Sequence, residues 1–101
     1  MPEQVVSLQF CDGTKCLIGE SAGERIFQEQ ISSEISDEHE CVVVLPDSIE
    51  DVSALFILGL YSKLISTCGK WRALGLMRLV CSNQEVQENT EIYAILSYRA
   101  G

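Results

Sequence analysis

The residues best placed to do chemistry in this chain are few and close together. Asp51 and Ser53 fall in the stretch SIEDVSALFILGLYSKL, residues 48 to 64, directly before the most uniformly apolar run of the sequence. A serine there can act in two ways. Its oxygen can accept from an unpaired amide at a helix start, and its hydroxyl can be phosphorylated, adding a charge of about −1.5 to −2 that a helix amino terminus favours. Asp47, Glu50 and Asp51 would repel that charge, and an adjacent apolar interface would have to desolvate it. Ser53 is therefore expected either to cap the helix alone, a role Asp51 could also fill, or to serve in addition as a regulatory phosphorylation site with Asp51 supporting its loop. Successive helical positions point in different directions, so some of Leu55, Phe56 and Leu58 are expected to reach the surface and form a partner interface beside it.

Other chemistry has less to stand on. His39 is the only histidine, set in the polar run SDEHE, and any Ser or Cys nucleophile would need it as a base, with no spacing that brings it near Ser53. The stretches AGER and CGKW lack the repeated glycines of a phosphate cradle. The cysteines at 11, 16, 41, 68 and 81 form no CxxC pair, and His39 beside Cys41 lacks the paired spacing of a structural zinc site. Cys41 and Cys81, in strand segments, are expected to be small buried hydrophobes. No catalytic residue, metal or cofactor is expected.

The elements that must position Ser53 follow from periodicity. VVSLQFCDGTKCLI reads as a hairpin, with Val6, Leu8 and Phe10 alternating before the turn pair Asp12-Gly13. That hairpin would make Cys11 and Cys16 diagonal neighbours, too far apart for the roughly 4 Å between Cβ atoms that a disulfide needs. Ser21 and Glu24 have the capping-box spacing, and Ile26, Phe27, Ile31 and Ile35 form the stripe of a first helix. CVVVLP reads as a buried parallel strand. A helix from Ser53 to Thr67 ends before Gly69, ALGLMRLVC reads as a further strand, and Ser82 and Glu85 repeat the capping spacing before a last helix. Trp71 is expected to cover one end of the core, and Ile92, Tyr93, Ile95 and Leu96 to form the last helix's packing stripe. The expected fold is one small α/β domain spanning residues 1 to 101, in the order ββαβαβα. Its mixed, mainly parallel sheet has about four strands, with an N-terminal hairpin and three helices.

Composition narrows the partners. The 101 residues carry a formal charge of −8 and a pI near 4.4, with 47% apolar and 22% charged residues, values of a chain that folds unaided. Twelve acidic and two basic residues lie up to Asp51, and three acidic and five basic beyond it. Such a chain holds neither nucleic acid nor anionic lipid by charge. ALFILGLY is too short to span a membrane, the opening MPEQVVSLQF lacks the features of a signal peptide, and the cysteine usage suits a reducing, cytoplasmic setting.

The succession SAGERIFQEQI, VVVLPDSIEDVSALFILGLYSKLI and LMRLVCSNQEVQENTEIYAIL resembles the STAS-like domains of unassigned function, relatives of the anti-sigma-factor antagonists of bacteria. The likeness runs from about Leu17 onward. In the antagonists an Asp-Ser-Ser-Gly loop carries the serine that a partner kinase phosphorylates. Here Asp51-Val52-Ser53-Ala54 keeps the aspartate, that serine and a small residue, with Val52 in place of the first serine. STAS-like domains carry acidic residues after the helix-start Phe, where this chain has Ile57 and Leu58. The resemblance implies a non-enzymatic protein-interaction domain of bacterial signalling, with a partner of the serine-kinase or anti-sigma ATPase kind; a homo-oligomer stays open. The alternative reading is a domain that binds a small apolar ligand in a pocket lined by Leu55, Phe56 and Leu58, and a thiol-dependent enzyme is a more distant one.

Overall fold

The computed structural model describes residues 3–36 and 38–96. Within these residues five short strands and four α-helices follow one another: β1 (Gln4–Ser7), β2 (Cys16–Leu17), α1 (Glu20–Ile26), β3 (Cys41–Val44), β4 (Asp51–Val52), α2 (Ala54–Cys68), α3 (Lys70–Leu76), β5 (Met77–Val80) and α4 (Gln84–Leu96). A π-helical segment, Phe27–Ile31, and a 3₁₀ turn, Ser32–Glu34, continue α1.

Two separate sheets result. β1, β3 and β5 form a parallel sheet with β3 in the centre, in the register Val5 to Val42 to Arg78. β2 and β4 pair in parallel over two residues, Cys16 with Asp51 and Leu17 with Val52. The pattern CVVV occupies the central strand because Cys41, Val42 and Val43 are all buried there. The core lies on one face of the main sheet, where Cys41, Val43, Met77 and Leu79 meet Ile57 and Leu60 of α2 and Ile26, Phe27 and Ile31 of the first helical stretch. The other face holds the exposed Val5, Ser7 and Arg78.

Several expectations are corrected. No N-terminal hairpin forms. A tight turn does sit at Asp12-Gly13, with Gly13 at φ 86° and the Thr14 amide donating to the Cys11 carbonyl at 3.2 Å. Each flanking segment instead pairs with a strand from later in the chain: β1 gains more by lying beside the Val-rich β3 than beside the two-residue β2. Among the described residues the main sheet therefore has three strands, all parallel, in place of the mixed sheet of about four.

A fourth helix takes the start of the segment expected as a strand. Gly69, at φ 87°, ends α2 and opens α3, which turns Ala73 into the core, and the extended chain begins only at Met77. Neither serine-led capping box forms. α1 starts after Gly19 without a side-chain cap, and α4 is capped by Asn83, whose Oδ1 accepts from the Val86 amide at 3.2 Å. The packing face of α4 is Val86, Thr90 and Ala94, with Tyr93 half-buried. Ile92 and Ile95 point outward, and the Leu96 side chain lies outside the described part. Trp71, expected to cover one end of the core, is 74% exposed.

Candidate functional site

Ser53 stands at the junction of β4 with α2. Its backbone is extended (φ −84°, ψ 154°), closing β4 and opening α2, and its amide donates to the Leu17 carbonyl of β2 at 2.8 Å. The half-buried Oγ accepts from the Phe56 amide at 3.1 Å, a helix cap, and from the Gly19 amide at 3.3 Å. One oxygen thus ties the start of α2 to the junction of β2 with α1. The turn below is held from the same side, the Lys15 carbonyl accepting from the Glu50 amide at 2.7 Å. Asp51 is exposed and does not cap the helix; its Oδ1 accepts from the Val52 amide at 3.0 Å and stiffens its own turn.

Replacing Ser53 with Ala removes the acceptor of two amides, one at a helix start. A loss of about 1–2 kcal/mol is expected, read as a lower urea midpoint with an unchanged slope.

The apolar residues around Ser53 divide sharply. Phe56 is 1% exposed and Ile57 is enclosed with it, so Phe56 belongs to the core and cannot contribute to a surface. Leu55 is 56% exposed and Leu58 half-buried. Sequence reasoning missed Ile18, 67% exposed and adjacent to the Gly19 whose amide meets Ser53. The signal was present as an apolar residue directly before a helix-opening glycine, but the expected hairpin concealed it. The rim is acidic, with Glu20, Glu50 and Asp51 all exposed. Asp47, expected to face Ser53, accepts from the Ser82 hydroxyl at 2.6 Å and is turned towards the start of α4.

The cysteines are all free, with Cys11 and Cys16 exposed, Cys41 and Cys81 buried and Cys68 between. Burial pushes the Cys41 thiol above its ordinary value of 9.0, and the Glu34 carboxylate pushes it the same way. A folded-state pKa above the unfolded one means that the folded chain keeps a proton the unfolded chain releases. That stability is complete below the unfolded pKa and is lost as pH rises through the folded one. Urea midpoints are expected to fall in this alkaline window, and less so in Cys41→Ala. At neutral pH a thiol reagent should modify Cys11 and Cys16 and spare Cys41 until the chain unfolds.

Among the described residues, no group of three or more His, Cys, Asp and Glu side chains is placed to hold a metal. His39 lies half-buried in a bridge with Ser36, and its Nδ1 meets no hydrogen-bond partner among the described residues. Leu55, Phe56 and Leu58 divide between water and core, with Phe56 1% and Leu55 56% exposed. An open apolar groove of about 340 Å³ lies elsewhere, between β5 and α4, with Tyr61, Leu74, Met77, Ala94 and Ile95 among its lining. No described helix is long and apolar enough to cross a membrane. No family model, curated protein or solved structure matches the chain.

Proposed function

We propose that this protein is a non-enzymatic, STAS-like interaction domain of bacterial signalling that acts in the cytoplasm. It docks a partner protein around Ser53 and releases it when Ser53 is phosphorylated. The observation that carries this reading is the half-buried Ser53 hydroxyl at the start of α2, between the exposed Ile18 and Leu55. The resemblance names the partner class, a serine-kinase or anti-sigma ATPase.

The physics of the switch is local. A phosphate on Oγ weakens the oxygen that now accepts from Gly19 and Phe56, and places about two charges among Glu20, Glu50 and Asp51. An interface closing over Leu55 would have to desolvate that charge. Affinity capture from the native cytosol with wild-type and Ser53→Asp protein tests this. An ATPase recovered by the wild type and lost with Ser53→Asp, while both retain the same far-ultraviolet circular dichroism, is the expected result. Equal recovery by the two would overturn it.

A second reading is favoured by the groove between β5 and α4, whose lining is largely apolar and whose volume of about 340 Å³ is that of a small-ligand site. A bound apolar ligand should then be displaced by Ala94→Trp, which fills the groove, and not by Leu55→Asp.

A further inference from the structure

The main sheet has two edges, and they are treated differently. Along β5 most of the groups that point away from β3 are met, the Met77 amide by the Ala73 carbonyl and others by side chains. The Tyr61 hydroxyl donates to the Met77 carbonyl at 2.9 Å. The Gln87 amide donates to the Leu79 carbonyl at 3.0 Å and accepts from the Cys81 amide at 2.6 Å. Gln87 thus stands in for a neighbouring strand along much of β5, although the outward Leu79 amide meets no partner among the described residues.

Along β1 the same device reaches only the end. The Gln4 and Leu8 amides donate inward to the Glu40 and Val44 carbonyls, so Val5, Ser7 and Gln9 direct their backbone groups outward. Gln30 pairs with Gln9 in both senses, at 2.8 Å each way. Among the described residues nothing meets the outward amides of Val5 and Ser7 or the Val5 carbonyl, and the Ser7 carbonyl has only a long 3.4 Å bond from the Gln9 side chain. Val5 is 57% exposed and Ser7 is exposed.

The charge beside this edge selects an occupant. Glu3 and Glu40 share the single guanidinium of Arg78, at 3.0 and 3.4 Å, and Glu34 accepts from the neutral Gln4 amide at 2.9 Å. The surroundings are net acidic, in the half of the chain that carries twelve of the fifteen carboxylates. A second copy of this acidic chain would be repelled, and a four-residue edge falls far short of the roughly 800 Å² per partner of a stable dimer.

We propose that the outer edge of β1 is a docking site for an extended, basic peptide segment of a partner protein, which joins the sheet as a fourth strand. Backbone bonds to Val5 and Ser7 give it register, and Lys or Arg side chains meet Glu3, Glu34 and Glu40. The site is separate from the surface around Ser53 and does not depend on the function proposed for it.

Amide exchange followed by nuclear magnetic resonance on the full chain tests this, with acetyl-Lys-Val-Lys-Val-Lys-Val-amide as the probe. The Val5 and Ser7 amides should exchange freely in the protein alone and slow about tenfold or more at saturating peptide, while the Leu8 amide is protected throughout. Val5→Pro removes an outward donor and no bond to β3, so it should weaken peptide binding about fivefold, the worth of one net hydrogen bond. Three results would each overturn the proposal: protection of Val5 and Ser7 without peptide, unchanged exchange with it, or equal slowing by the Glu-Val peptide of the same length. If Val5→Pro fails to fold, the wild-type exchange comparison decides alone.

Discussion

Gly59→Ala is expected to destabilise the protein by about 3 kcal/mol or more, although glycine to alanine inside a helix ordinarily stabilises by about 0.5–1 kcal/mol. The reversal comes from the contact between α1 and α2. A Cβ on Gly59 would run into the Glu20 carbonyl oxygen and lie 3.0 Å from both the Glu20 carbonyl carbon and the Glu24 amide nitrogen. All three are backbone atoms and cannot rotate aside, so the helices must move apart. Gly23 meets the converse restriction from the Phe56 carbonyl oxygen, the Leu60 amide nitrogen at 2.9 Å and the Gly59 Cα at 3.1 Å. Gly23→Ala should therefore behave in the same way. Gly75→Ala is the control, since a Cβ there meets nothing within 4 Å and the change should be neutral or stabilising. Thermal or urea unfolding of the three variants reads the difference directly. Losses of this size are a large part of the roughly 5–15 kcal/mol that holds a small domain together. They would also loosen the junction at Gly19 that helps to hold Ser53.

Phe56→Ala is expected to cost about 3–5 kcal/mol, because it empties a fully enclosed site in the middle of the core. Leu55→Ala, one residue earlier on the same helix, should change stability by no more than about 0.5 kcal/mol, since more than half of that side chain is in water. The pair separates packing from recognition at adjacent positions. If the surface around Ser53 docks a partner, Leu55→Asp should abolish binding with little change in the unfolding midpoint. Loss of binding by Phe56→Ala would follow from loss of the fold. Similar midpoints for Phe56→Ala and Leu55→Ala would contradict the burial described above.

The sequence announced α2 and β3 clearly and the rest unevenly, for physical reasons. Ser53, the apolar run after it and Gly69 are local signals, and each does locally what its chemistry dictates: a cap, a packed helix, a left-handed stop. The run CVVV has few options besides a central strand. Asp12-Gly13 also made the turn its chemistry favours, but a turn does not say which strands will pair, and alternation in β1 suits any neighbour. Pairing is a property of the whole sheet, and Val42 and Val43 offered β1 the better partner. ALGLMRLV is apolar throughout, so neither period stands out, and a helix could take Ala73 to Leu76 before the strand begins. At the site, the serine was legible and its neighbours were not. Phe56 and Leu55 are equally apolar in sequence, and only packing against α1 and the sheet decides which one water reaches. Ile18 comes beside Ser53 through the pairing of β2 with β4, a contact between segments 34 residues apart.

The most direct test of a Ser53-gated docking surface places a photo-crosslinking phenylalanine analogue at Leu55 in the full chain and irradiates it with the native cytosol, with and without Ser53→Asp. The account predicts one partner crosslinked from position 55, lost with Ser53→Asp, and absent when the same group replaces Ile92 on α4. Crosslinking to the same protein from position 55 whether residue 53 is Ser or Asp would contradict it.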